Sequence, residues 1–294
     1  MLDPDRPRLP DFVIGGAPKC GTTALFSYLD QHPDVFTTTP KEPHYFASAP
    51  LGRRVMQGDY SRSEYEALFA GRRPNQVAGE GSTHYLHHAV AVAPALAEAV
   101  PDVRLVFSLR DPVERAYSHY CFRYSAAGPY TAGGVGSGET FADFARDPEI
   151  ARIGDYASNL ATFYEHFDRE QVLVLLMSDL RRDLPETMRQ ICEHIGVSPA
   201  FDFDLSSREN ETGYPRFPAL MPLADRVVAS VYGRLDRKRR MALLRTRRRW
   251  LFSSEGSKPP MDPQDRADVA ELYRSSTDRL AHMIGRDLSY WASG

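Results

Sequence analysis

The sequence predicts an α/β fold, a central parallel sheet flanked by helices in a single domain. Three observations carry this. Short apolar runs, among them Phe12–Ile14, Val103–Leu109 and Val172–Met177, have the length and composition of fully buried strands. Between them lie stretches with apolar residues at helical spacing, and strands alternating with helices of about 10 to 15 residues indicate βαβ units. No repeat of fixed period and no linker divides the 294 residues.

The elements follow in order. Residues 1–10 hold three prolines and several charges and read as a loose lead-in. Phe12-Val13-Ile14 is a strand running into Gly15-Gly16. Thr22–Gln31 is a helix with Ala24, Leu25, Tyr28 and Leu29 on its apolar face, and His32-Pro33 ends it because the residue before a proline leaves the α region. Strands follow at Val35–Thr38 and Gln76–Gly79, then a helix at Ala89–Ala99. Val103–Leu109 is a strand, and Pro112–Arg123 a helix with Asp111 as N-cap and proline at its first position. Ala157–Phe167 is a helix, Val172–Met177 a strand, and Leu184–Ile195 a helix closed by Gly196. Asp262–Ile284 is a final long helix. Two stretches depart from the pattern: Gly128–Gly138, with five glycines in eleven residues, and Arg234–Arg249, with nine basic residues.

Composition sets limits on function. Hydrophobic residues make up 42% and charged residues 26%, an ordinary globular balance. The net charge of -3 gives no global basic field for nucleic acid. No apolar run is long enough to span a membrane, and the N-terminus lacks the apolar stretch of a signal peptide. Cys20, Cys121 and Cys192 are too few and scattered for a disulfide framework or a zinc site. The expectation is a soluble, reduced, cytoplasmic protein.

The first chemical motif is Gly16-Ala17-Pro18-Lys19-Cys20-Gly21-Thr22-Thr23, between a strand and a helix. Glycines let backbone N–H groups approach an anion, the helix N-terminus adds partial positive charge, and Lys19 adds a full one. Phosphate or sulfate binding is the expectation, on a P-loop-type sheet. The loop is not a Walker A motif, since Thr22 stands where that motif has its lysine after Gly21. The second motif runs from Arg110 to Ser118. Arg110 ends a strand at the edge where open α/β sheets bind ligands, and an Arg fork with a hydroxyl suits a terminal phosphate. Alone, the same residues could be a helix start with Arg110 paired to a neighbour.

Together these residues resemble the sulfotransferase family that uses 3′-phosphoadenosine 5′-phosphosulfate (PAPS). In that family a Pro-Lys-x-Gly-Thr-Thr loop cradles the 5′-phosphosulfate and an Arg…Ser pair holds the 3′-phosphate. The resemblance puts Gly16 to Thr23, with Arg110 and Ser118, at the cofactor. Lys41-Glu42-Pro43-His44-Tyr45-Phe46 resembles the Glu-x-His-Phe-Phe stretch of the heparan sulfate branch, which implies Glu42 as catalytic base. Gly79-Glu80-Gly81-Ser82-Thr83-His84-Tyr85 resembles its Glu-Lys-x-x-x-Tyr segment, with Gly81 in place of the lysine. Gly154-Asp155-Tyr156 resembles the Gly-x-Tyr near the adenine. Gly256, Ser257 and Lys258 fall in a stretch like the late loop that closes over the cofactor, so that 205–261 reads as an acceptor-side insertion and cofactor-closing loop. Glu255 and Ser257 stand where the family has Lys and Arg.

The function implied is transfer of a sulfuryl group from PAPS to a hydroxyl of a saccharide, lipid or secondary metabolite, with PAP as product and no metal. Glu42 would act as base and Lys19 would stabilise charge on the bridging oxygen. His44 reads equally as a proton carrier or as a packed loop residue. Lys41 reads as solvated, and His84, His87 and His88 as surface or acceptor-side groups. Cys20 reads as a small packing residue, and the run Arg234–Arg249 as a solvated helical face. The alternatives are a small-molecule kinase and a nucleotide-binding protein without catalysis.

Overall fold

The protein is described from a computed structural model, which covers residues 9–47, 60–123, 140–205, 214–215, 252–253 and 260–293. Gly128–Gly138, Arg234–Arg249, Gly256, Ser257, Lys258 and nearly all of 205–261 lie outside the described residues. So does the lead-in up to residue 8. Leu9, at its end, is 6% exposed and packs into the core.

Five strands form the main sheet: β1 (Phe12–Gly16), β2 (Val35–Thr37), β3 (Val77–Glu80), β4 (Arg104–Leu109) and β5 (Val172–Leu176). Their order is β2-β3-β1-β4-β5 and every pairing is parallel. β1 thus sits mid-sheet, with Phe12 opposite Gly79 of β3 on one side and Arg104 of β4 on the other.

The helices are α1 (Thr22–Leu29), α2 (Arg62–Ala67), α3 (Ala89–Ala99), α4 (Pro112–Arg123), α5 (Phe141–Arg146), α6 (Pro148–Gly154), α7 (Tyr156–Tyr164), α8 (Met177–Arg182), α9 (Leu184–Ile195), α10 (Pro263–Ile284) and α11 (Tyr290–Ser293). Strand period two separates two cores. Val13, Ala78, Leu105 and Phe107 point to the face covered by Leu96 of α3 and Leu160 and Phe163 of α7. Phe12, Ile14, Val106 and Leu175 point to the other, against Leu25 and Leu29 of α1 and Met188 and Ile191 of α9. Burial on both faces is why the strands read as continuous apolar runs and do not alternate with polar residues. α9 begins where Asp183 accepts the Glu186 N–H at 3.0 Å and ends at left-handed Gly196, as the sequence predicts.

Contacts divide the chain into two compact units. One comprises Met1–Pro112, Arg152–Glu209 and Tyr273–Gly294, and the other Val113–Ala151 and Asn210–Leu272. The sequence reads as one domain without a linker; three of the divisions fall within α4, α6 and α10, where the helical pattern continues unbroken, and the fourth, after Glu209, lies outside the described residues. The first unit holds the sheet and both cores. In the second, Tyr120 packs on Phe141 and Phe144, and Arg266 pairs with Glu114 at 3.2 Å. The Tyr117 hydroxyl donates to the Pro260 carbonyl at 3.1 Å, and β6 (Tyr214–Pro215) pairs antiparallel with β7 (Phe252–Ser253). Among the described residues no helix is long and apolar enough to cross a membrane.

Gly79 fixes the closeness of β3 and β1. A Cβ there would lie 2.3 Å from the fully buried Phe12 ring. Gly79→Ala should therefore lower stability by about 1–3 kcal/mol through overpacking, read as a lower urea midpoint with an unchanged m-value. An unaltered midpoint would mean that the two strands can spread.

Candidate active site

The loop after β1 is held from beneath by one residue. Ser108, fully buried in β4, accepts the Ala17 N–H through its carbonyl at 2.9 Å and donates its hydroxyl to the Cys20 carbonyl at 2.7 Å. Both ends of Ala17–Cys20 are thereby tied to the neighbouring strand. The backbone between them is unusual: Gly16, Lys19 and Gly21 all have positive φ, 153°, 69° and 80°. A turn of this kind brings successive N–H groups round to one side, and the first turn of α1 continues the set. Gly16 also has no room for a Cβ, which would lie 2.8 Å from Leu86 Cβ. Lys19 and Thr23 are half-buried and Thr22 is buried. The arrangement fits an anion.

Cys20 is fully buried, with its Sγ 3.9 Å from the Tyr156 hydroxyl, in accord with the packing role. Tyr156 itself is 1% exposed. Its hydroxyl meets the loop at Cys20, and the resemblance implies a place near the adenine. Asp155 caps α7 and bonds Ser276 and Arg279 of α10, fixing where Tyr156 enters the core.

The segment after β2 carries the second set of groups. Glu42 Oε2 lies 3.0 Å from His44 Nε2 and accepts the Thr83 hydroxyl at 2.9 Å. Its Oε1 lies 3.2 Å from Lys41 Nζ, and that ammonium also reaches Thr23 Oγ1 at 3.2 Å. Lys41 therefore joins the glycine-rich loop to Glu42. The expectation that Lys41 is solvated is overturned: its side chain is 18% exposed, and its stem crosses Gly81, where a Cβ would meet Lys41 Cε at 2.8 Å. The small residue at 81 leaves the room through which Lys41 reaches Glu42. Burial would push the Glu42 carboxyl up, but hydrogen bonds from His44 and Thr83 and the charges of Lys41 and His44 outweigh it and hold it at about 2. Burial lowers the Lys41 ammonium, while Glu42 counters.

Behind this pair lies a group whose role the sequence does not reveal. Glu80 ends β3 with no exposure and accepts the hydroxyls of Tyr65 at 2.6 Å and Tyr85 at 2.9 Å, with a further bond from Ser82. Ser82 Oγ in turn accepts the His44 N–H at 2.9 Å, and Tyr85 the Phe46 N–H at 3.2 Å. His44, with φ 54°, is 5% exposed, so it is at once packed and bonded to Glu42. His87 and His88 are 2% and 6% exposed and His84 is half-buried, so they are not surface groups: α7 packs over the turn that carries them.

Arg110 directly follows β4 at the same sheet edge as the loop and is half-buried. Ser118 is half-buried on α4, in the second unit. Gly256, Ser257 and Lys258 lie outside the described residues.

An anion-cradling loop at the carboxyl edge of a parallel sheet, with a carboxylate set beside it, defines a group-transfer or nucleotide-binding class. A model of the sulfotransferase domain matches residues 9–209, and the chain belongs to that family. It is 26% identical over 301 residues to the human bifunctional heparan sulfate N-deacetylase/N-sulfotransferase 3, covering 97% of this chain and 31% of the relative. With human carbohydrate sulfotransferase 15 it shares 26% identity over 248 residues, 65% of this chain and 44% of the relative. The chain thus spans less than half the length of these curated relatives. In fold it is similar to a sulfotransferase from Alicyclobacillus acidocaldarius, with TM-score 0.69 and 24% identity over 96% of this chain and 98% of that one.

The Glu42 contacts have a pH signature. A carboxyl held at about 2, below its ordinary 4.5, adds stability that is complete above pH 4.5 and lost as pH falls toward 2. The stability gap between the protein and Glu42→Gln should therefore shift in favour of Gln on going from pH 6 to pH 3.5, measured by urea unfolding. A gap that does not move would mean that the carboxylate gains nothing from Lys41, His44 and Thr83.

Proposed function

We propose that the chain is a PAPS-dependent sulfotransferase acting on a hydroxyl, with a saccharide hydroxyl first and a lipid or secondary metabolite next. The observation that carries the reading is the Thr23–Lys41–Glu42 bridge, which sets a carboxylate ionised at neutral pH beside the anion cradle. Family membership supports the transfer class, and two curated relatives bear names referring to heparan sulfate and carbohydrate sulfation.

The residues fit the donor by the chemistry of the cradle: positive-φ backbone at Gly16, Lys19 and Gly21, an ammonium, and the hydroxyls of Thr22 and Thr23. PAPS, when bound, supplies the sulfuryl group and is left as PAP. Glu42 takes the proton from the acceptor oxygen as that oxygen forms its bond to sulfur and the bridging S–O bond breaks. Lys19 faces the negative charge left on the bridging oxygen, the kind of preorganised stabilisation that lowers such barriers. His44 holds Glu42 through its Nε2. Arg110 would take the 3′-phosphate as a bidentate fork.

Calorimetry of the purified chain against PAP, with ATP and Mg²⁺ as rival, tests the donor. The expected result is low-micromolar PAP binding, weakened about tenfold or more by Arg110→Ala, which is about 1.4 kcal/mol or more. Glu42→Gln should not weaken PAP binding, yet should slow sulfation of the best acceptor by about a hundredfold or more. The acceptor screen should hold saccharides bearing free hydroxyls and free amines, since one relative is named for N-sulfation. Preference for ATP with Mg²⁺ would overturn the reading in favour of a kinase. Full activity of Glu42→Gln would remove Glu42 as base.

A further inference from the structure

Three histidines beside the candidate site are used by nothing described so far. His84, His87 and His88 stand at positions i, i+3 and i+4 on a turn that winds from Ser82 into α3, with Tyr85 N–H bonded to the Ser82 carbonyl and His88 N–H to the Tyr85 carbonyl. That spacing puts the three rings on one side of a helical turn. The turn tightens into a 3-10 helix over Leu86–His88, and the His84 and His88 rings stack with centroids 6.4 Å apart. The rings meet: centroids are 4.9 Å apart for His84 and His87 and 4.5 Å for His87 and His88. One ring nitrogen from each lies within 4.8 Å of those of the other two.

Packing three imidazoles together in the interior is unfavourable unless something satisfies their nitrogens. His84 Nδ1 and His88 Nε2 are buried and accept or donate no hydrogen bond among the described residues. Each such orphan is destabilising. An aliphatic residue would fill the same space without that penalty. A neutral imidazole keeps one ring nitrogen with a lone pair free for a ligand. Neutral imidazoles suit zinc and its first-row neighbours, whereas calcium and magnesium take oxygen ligands.

We propose that His84, His87 and His88 form a three-nitrogen site for a divalent zinc-class ion, leaving a fourth position for water or another ligand. The site adjoins the candidate base through His44, whose ring meets His84 edge-on at a centroid separation of 4.9 Å. The proposal departs from the metal-free expectation for the chain and does not depend on which donor or acceptor it uses. Nor does it give the ion a part in sulfuryl transfer.

The test uses the full chain made without a histidine tag, stripped with chelator and titrated with Co²⁺. One equivalent should bind, with the visible bands of a nitrogen-ligated ion of low coordination number, and Zn²⁺ should abolish those bands. His84→Gln and His88→Gln should each weaken Co²⁺ binding at least tenfold, while His166→Gln, an exposed histidine elsewhere, should not. Circular dichroism checks that each variant is folded. If the buried His88→Gln unfolds, half-buried His84→Gln decides. The proposal is overturned if no stoichiometric ion binds, or if binding is indifferent to His84→Gln in folded protein.

Discussion

The candidate site depends on a carboxylate that touches no solvent. Glu80 stands at the end of a central strand, where a charged group is expensive to bury unless it is hydrogen-bonded on every side. Burial raises its pKa, and the hydroxyls of Ser82, Tyr65 and Tyr85 oppose that rise. These partners come from two places: Tyr65 from α2, and Ser82 and Tyr85 from the turn between β3 and α3. They are not idle once bonded. Ser82 fixes the His44 backbone and Tyr85 that of Phe46, so the peptide bearing Glu42 and His44 is positioned by the network around Glu80. A buried network of this kind is stable only when complete. The same feature that anchors the segment to the sheet thus sets the direction of the carboxylate beside the glycine-rich loop.

Much of this was legible in the sequence, and the parts that were not have a common cause. α4 and α9 occupy the residues that apolar spacing predicts, and their ends carry local signals, Pro112 at the start of α4 and Gly196 at the end of α9. The glycine-rich loop was legible because its backbone conformation needs particular residues at particular positions. Lys41 was misread because its burial depends on Gly81, forty residues away, leaving space for its stem. Glu80 and Tyr85 stand together in the Gly79–Tyr85 segment, but the role of Glu80 was not legible because its partner Tyr65 is brought to it by the fold alone. The histidines were visible at their spacing. Without knowledge that α7 covers that turn, a reading as surface or acceptor-side groups was the natural one.

Ser108 makes the same point from the other side. Nothing in the run Arg104–Leu109 marks one serine among apolar neighbours as more than a tolerated small residue. Yet its carbonyl and hydroxyl tie both ends of Ala17–Cys20. The loop is thereby held from a neighbouring strand that is itself buried on both faces. A cradle built on such a strand resists the relaxation that a mobile loop would undergo on meeting an anion, so less ordering opposes binding.

On the proposed reading, the balance at Glu42 has a consequence for catalysis. A base held near 2 is fully ionised but intrinsically weak, since proton-transfer efficiency follows basicity. Its acidity comes from three neighbours, and not all of them can keep their bonds when an acceptor hydroxyl must also reach the carboxylate. A carboxylate oxygen has few lone-pair directions, and Oε2 already faces both Thr83 and His44. An acceptor that displaces the Thr83 hydroxyl would remove one of the bonds holding the pKa down while excluding water, and both changes raise basicity. Lys41 is tied to Thr23 as well as to Glu42, so an anion engaging Thr23 would compete for the same ammonium. Weakening the Lys41–Glu42 bond raises Glu42 again. The carboxylate would then be least basic when the site is empty and most basic when donor and acceptor are both in place. That order follows from the shared partners and requires no movement of the backbone.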